Sequence, residues 1–556
     1  MSPSDRKKQA EALIAPYVNR HAPGGAITVL EFGASVWTKH FGLADMDTHT
    51  PNTPGTKHAL ASVSKMFTAA LVLRLVDAGR LNMEAPVSAY LPGYKVLDGI
   101  TLKHLLGMTS GLPDHFDLMF ACGGMRDHDY NAADHLGLLA HVSERFSAPD
   151  ERFLYANMNY LLLARIIEGV TGKTFDNALK ELVLEPAGIK ETLCIDGRLI
   201  PHEAIAKPYV YNGEESEHRW LNGRQRNPAI GLGNLYAPVS DLVKWHEVLA
   251  SGKLGDGLVQ TDLAPLFSEH FLADETPTGY GYGMMVRKYR GARMYGHLGG
   301  WQGYRSVFLM LPELEMAVIF CANRTDLPIE KIAYGLIDIF AAERLQSPPL
   351  DEQAETALQI AKMPLQAMPK LNGTYLNGES GDIFRLDWQA PHLVVQTGAH
   401  SYKLSCTQHG YFTNRFGIMP VQLKPGRDPD KNAIRIDFIN GGYKQSFYRS
   451  DTFPPPKTVL TDYLGSYLNE ALDARISIRE RNGQLLVRIG DLKNEGHLYT
   501  ATALALDIYC ITDIQADATA TYTLKFTREP NSQLIRSVSL TTDRLKSFTY
   551  RKLRSY

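Results

Sequence analysis

The chain has 556 residues, too many for a single hydrophobic core, and this length points to about three or four domains. Its 58 lysines and arginines offset 60 aspartates and glutamates, a balance that advertises neither a nucleic-acid nor an anionic-membrane partner. No apolar run approaches the roughly 18 residues that a membrane span requires.

The opening stretch, MSPSDRKKQAEALIAPYVNRHAPGG, carries basic residues but no apolar leader segment, so a cytoplasmic protein is expected. Residues 24–45, GGAITVLEFGASVWTKHFGLAD, alternate apolar and polar around a glycine-containing turn and predict a β-hairpin. A helix is predicted from Ser62, with Met66, Phe67, Ala70, Leu71, Arg74 and Leu75 at helical spacing and Gly79 as its stop. Further helices are predicted at 101–108, 158–170 and 239–250. RSVFLMLPELEMAVIFCAN (305–323) predicts two strands joined by a Pro-Glu turn, and 331–345 returns to helix. A hairpin at each end with helices between predicts an α/β unit over 1–345, its antiparallel sheet flanked by helices.

Beyond a connector at 346–370 the texture changes to short alternating runs with Gly and Asn turns. LNGTYLN (371–377) matches YLGSYLN (463–469), and HLVVQ (392–396) matches QLLVR (484–488) at the same offset. IRIDF with SFYR (434–438, 446–449) likewise resembles IRSVS with SFTYR (535–539, 547–551). Two copies of one small antiparallel β-barrel are predicted, over 371–455 and 456–556.

Ser62-x-x-Lys65 is common as a pattern and recurs at Ser4 to Lys7. Tyr155-Ala-Asn157 has counterparts at Tyr17, Tyr375 and Tyr467, and His297-Leu-Gly299 at His40 and His135. Context separates one set from these decoys. Ser62 opens an apolar helix, near backbone N–H groups and the positive dipole end, with Lys65 one turn on. Burial that keeps the amine partly neutral would let it take the serine proton. Tyr155 and Asn157 project from one short loop before an apolar helix, and Gly299 and Gly300 would let a substrate backbone lie beside a strand edge. The histidines lack the helical spacing of a zinc protease, and neither a P-loop nor a dinucleotide fingerprint is present, so no metal or other cofactor is expected. Cys122, Cys194, Cys321, Cys406 and Cys510 are odd in number and scattered, and read as reduced thiols.

The ordered set Ser62–Lys65, Tyr155–Asn157 and His297–Gly299 resembles the penicillin-recognising serine hydrolases: class C β-lactamases, D,D-peptidases and related esterases. The resemblance implies a β-lactamase/transpeptidase-like fold over about 20–345. HLLGMTSGLPDHFDLMFACGG (104–124), YGYGM (280–284), YGHLGGWQGYR (295–305), the histidine of the third motif, the missing leader and the paired β domains resemble the D-aminopeptidases. By that resemblance Ser62 forms an acyl-enzyme, and Lys65 and Tyr155 share proton transfer. His297 orients Tyr155, Asn157 binds the substrate amide, and the N–H groups of Ser62 and Gly300 form the oxyanion hole. A loop of the last domain is expected to reach the site and hold the substrate amine; its carboxylates here are Asp491 and Glu495. The expected activity is release of N-terminal D-amino acids from peptides or amides, with a small-molecule substrate and a homodimer. The alternatives are an esterase or amidase without D-preference, a β-lactamase or D,D-peptidase, and a non-catalytic penicillin-binding protein.

Overall fold

The computed structural model describes residues 2–553 apart from 124–131, 141, 143–144, 196–203, 214–218, 224–228, 256–259, 347–368, 379, 390–391, 398–399, 407–411, 415–420, 429–432, 441–442, 453–459, 471, 492–495, 514–520, 543 and 546–547. Its first unit is built on a six-stranded antiparallel sheet. In spatial order the strands are Met285–Tyr289, Ala292–Trp301, Tyr304–Leu311, Met316–Ala322, Gly25–Glu31 and Ala34–Phe41. The two ends of the unit thus meet in the middle of the sheet, where Gly25 pairs with Ala322 and Glu31 with Met316. Both central strands are buried at every residue, which requires cover on both faces. Helix Ile329–Phe340 packs on the strands 304–311 and 316–322 and is backed by helix Pro3–Ile14, while helix Val239–Ser251 packs on 25–31 and 316–322.

The hairpin, the helices and the Pro-Glu turn predicted for this unit are all present, with shifted ends. One shift touches the motif. Ala61–Val63 winds as a tight 3-10 turn and the α-helix runs Ser64–Asp77, so Ser62 precedes the helix instead of opening it. Ala61, at φ +46°, adopts the left-handed region and sets the direction of that turn. The helix is buried at eleven of its fourteen residues, Lys65 included, and ends where Gly79 takes a left-handed φ of +67°.

Two closed eight-stranded antiparallel barrels follow, with strands between Gly373 and Arg449 and between Gly465 and Lys552. The repeat read from the sequence has a physical counterpart. Tyr375 and Tyr467 are both fully buried, and each phenol donates to the carbonyl four residues back, Leu371 at 3.0 Å and Tyr463 at 2.8 Å. These two Tyr-x-Asn decoys therefore serve barrel cores. The connector expected at 346–370 lies mostly outside the described residues.

The barrels relate differently to the first unit. The first has its own apolar cluster, whereas the second's core is continuous with that of the sheet unit. Helix His115–Ala121 forms the junction: Phe120 packs 4.2 Å from Tyr522 and 5.8 Å from Tyr499, ring to ring, and the Tyr550 phenol donates to the Ala121 carbonyl. Gly123 lies so close to Gly490 of the second barrel that a Cβ there would meet its Cα at 2.2 Å.

Candidate active site

Ser62 is half-buried on its turn, which is wedged against the strand 292–301. Ser306, on the next strand, donates to the Leu60 carbonyl at 2.6 Å and ties the turn down. A Cβ on Gly299 would sit 2.1 Å from Ser306 Oγ and 2.3 Å from the Leu60 oxygen. The absence of a side chain on this glycine thus admits the serine turn against the strand. Gly299→Ala is expected to cost about 100-fold in kcat/KM with the circular dichroism spectrum unchanged. Gly300, next along, is exposed and has ordinary room for a side chain.

Lys65 Nζ donates to Ser62 Oγ at 3.0 Å, to Asn157 Oδ1 at 2.9 Å and to the Leu232 carbonyl at 3.1 Å. The charged amine uses all three N–H groups here, whereas the neutral amine keeps two for Asn157 and Leu232 and turns its lone pair to Ser62; the amine is fully buried. Burial pushes its pKa down to about 7, with Arg544 acting in the same direction and Asp114 against it. Tyr155 hydrogen-bonds Ser62 and presents its ring 5.0 Å from Lys65 Nζ. Burial drives its phenol well above the ordinary tyrosine range, so it stays protonated.

His297 lies within the strand 292–301. Its Nδ1 faces the Leu298 carbonyl at 2.6 Å and so carries the proton. Nε2 is then an acceptor, 3.0 Å from the Tyr280 phenol and 3.5 Å from that of Tyr155. Burial, with Lys65 nearby, pushes this imidazole down to about 3, so the ring is neutral. Tyr280 approaches His297 more closely than Tyr155 does, and the motif reading missed it, although the YGYGM stretch held the signal.

Asn157 is fixed by an acid that the motifs also missed. Asp114 Oδ2 accepts from the Asn157 backbone N–H at 2.6 Å and from its Nδ2 at 3.0 Å, which leaves Oδ1 of the amide for Lys65. Asp114 is fully buried and accepts from the Phe116 N–H through Oδ1 at 2.9 Å. Burial opposes its ionisation, but Arg544, His115 and the N–H groups of Asn157 and Phe116 outweigh this and hold it down to about 2. Arg544 comes from the second barrel, its Nη1 3.2 Å from Asp114 Oδ2.

The structure thus brings together Ser62, Lys65, Tyr155, Asn157, His297 and Gly299. Asp491 ends the strand Gln484–Asp491, where it pairs with Ala474, and Glu495 lies outside the described residues. Among the described residues no three His, Cys, Asp or Glu side chains group as a metal site, and no helix is long and apolar enough to cross a membrane.

Residues 10–342 match the Beta-lactamase family profile, well over half of the chain. The chain belongs to the beta-lactamase family. Among curated relatives, penicillin-binding protein 4* of Bacillus subtilis is 27% identical over 337 residues, covering 58% of this chain and 73% of that protein. A D-aminopeptidase of Brucella ovis is 27% identical over 373 residues, covering 66% of this chain and 66% of that enzyme, just under two thirds. Among solved structures, the octameric penicillin-binding protein homologue from Pyrococcus abyssi shares the fold at a TM-score of 0.55 and 19% identity, over 88% of this chain and 98% of that one. This member of the beta-lactamase family is therefore a hydrolase-type protein related to D-aminopeptidases and penicillin-binding proteins, with two barrels appended to the family domain.

Proposed function

We propose that the chain is a serine hydrolase that releases N-terminal D-amino acids from small peptides or amides. The observation that carries the hydrolytic part is the 3.0 Å approach of Lys65 Nζ to Ser62 Oγ in a buried site that pushes the amine down to about 7, so that its deprotonated form accepts from the serine hydroxyl. Ser62 Oγ attacks the carbonyl carbon as its proton passes to Lys65 Nζ, forming a C–O bond and a tetrahedral oxyanion. Backbone N–H groups of Ser62 and Gly300 receive that oxyanion, a contribution often worth several kcal/mol. The C–N bond then breaks, Tyr155 protonates the departing amine, and Lys65 returns a proton to Tyr155. Water cleaves the acyl-enzyme by the reverse relay. Because burial keeps the Tyr155 phenol protonated and leaves Lys65 near neutrality, Lys65 is the resting base. His297 accepts from the tyrosine pair and holds their hydroxyls in place, and Asn157 meets the substrate amide.

The D-preference rests on the Brucella relative and on the paired barrels. Asp491 or Glu495, on the segment following Gly490, is assigned to the substrate's free amine. A panel of D-alanyl, L-alanyl and N-acetyl-D-alanyl p-nitroanilides with p-nitrophenyl acetate tests the reading. Turnover of the D-alanyl anilide alone among the anilides is expected. Rapid ester cleavage with no anilide turnover points to an esterase, and a stable acyl adduct without turnover to a non-catalytic penicillin-binding protein; either would overturn it.

A further inference from the structure

The last barrel meets the hydrolase centre through a buried charge that the mechanism above does not use. Arg544 donates from Nη1 to Asp114 Oδ2 at 3.2 Å, and its Nε lies 3.3 Å from Asp117 Oδ2. All three side chains are close to fully buried. From Asp114 the path is short: 2.6 and 3.0 Å to Asn157, 2.9 Å from Asn157 Oδ1 to Lys65 Nζ, and 3.0 Å from Nζ to Ser62 Oγ. Resting on the serine-hydrolase reading, we propose that Arg544 is a positioning residue of the active site: by pairing with Asp114 it keeps that carboxylate as the anchor of Asn157, and through Asn157 it sets the place and charge of Lys65.

Two features separate this role from simple domain packing. The first is redundancy in docking. The Asp114 N–H donates to the Arg544 carbonyl at 3.2 Å, and Tyr550, Tyr499 and Tyr522 hold the barrel to helix 115–121. The barrel therefore stays docked without the Arg544 side chain. The second is chemical. A buried carboxylate stripped of its cation is an uncompensated charge, still held ionised by His115 and by the N–H groups of Asn157 and Phe116. Its field on Lys65 is then unopposed.

The charged and titratable groups around this path fix the sign of the effect. Lys65 is faced by Tyr155, Tyr160 and His297, and further off by Asp114 and Arg544. Asp114 is faced by His115 and Arg544, and Arg544 by Asp117, with Arg152 and Asp382 lining the cavity where Arg544 lies between the three domains. Arg544 favours the neutral amine of Lys65 and Asp114 favours the charged one. Removing either therefore displaces the base in opposite directions.

The test is the pH profile of kcat/KM for p-nitrophenyl acetate, measured on the full chain from pH 5 to 10. For Arg544→Ala the acid limb is expected to move up by about one pH unit, for Asp114→Asn to move down, and for Arg544→Lys to stay near the wild-type position. An unmoved acid limb in Arg544→Ala, or displacement of both limbs in the same direction, overturns the proposal. If Arg544→Ala does not fold, Asp114→Asn and Arg544→Lys still decide it: an unmoved limb in the first, or a displaced limb in the second, overturns it. Ser62→Ala serves as the control for the underlying reading. Ester hydrolysis surviving in that variant removes the serine-hydrolase reading itself, whereas an active wild type with unmoved limbs removes only the role of Arg544.

Discussion

Ser62→Ala is expected to lower kcat by roughly 10⁴- to 10⁶-fold and to leave the protein folded. The hydroxyl is the sole group on its turn that both receives the Lys65 proton donor and contacts the Tyr155 phenol. Its loss leaves Lys65 still bonded to Asn157 and to the Leu232 carbonyl, so the buried amine keeps two of three partners. The turn itself is held by Ser306 and by the fit of Gly299, neither of which involves the serine side chain. Circular dichroism and the urea midpoint should therefore match the wild type. Turnover of p-nitrophenyl acetate or a D-alanyl anilide within ten-fold of the wild type would sink the mechanism.

Lys65→Met is expected to remove about 10²- to 10⁴-fold of the rate and also to change how stability responds to pH. In the unfolded chain this amine titrates in the ordinary lysine range, whereas burial pushes the folded value down to about 7. Between those two values the unfolded state binds a proton that the folded state does not. Stability from this group therefore rises with pH from about 7 toward 10, and is at its lowest below 7, where a charged amine is buried. Methionine removes that slope. Urea midpoints at pH 6.5 and 9.5 should differ less in Lys65→Met than in the wild type, and an identical pH response would show that the amine is not buried as a neutral base. In the wild type the same titration should appear as an acid limb near pH 7 in kcat/KM.

Much of this architecture was legible because each signal was local. The hairpin at 24–45, the strand pair around Pro312 and the amphipathic run before Phe340 announce themselves by period and turn residues. The barrel repeat was legible through Tyr375 and Tyr467, whose identical phenol-to-carbonyl bonds require the same residue at the same offset. The start of the Ser64 helix was misplaced by two residues because the 3-10 turn depends on Ala61 adopting φ +46°, which no residue pattern marks when the residue is alanine. Asp114 and Tyr280 sat inside stretches already noticed, but a single acid or phenol shows its role only once burial and partners are known. Arg544 carried no signal at all. A lone arginine in a strand-rich tail acquires meaning only from a contact 430 residues away.

That separation has a consequence for how the protein comes into being. Translation delivers the serine, lysine, tyrosine and Asp114 early, and the sheet of their domain closes once strand 316–322 has been made. The guanidinium that completes their charge set arrives 430 residues after Asp114, on a barrel that must first close its own ring of strands. Contacts of such range form late in folding. The charge set of the site is therefore completed last as the nascent chain emerges, and a ribosome-bound intermediate with a finished first domain still lacks the arginine partner of Asp114.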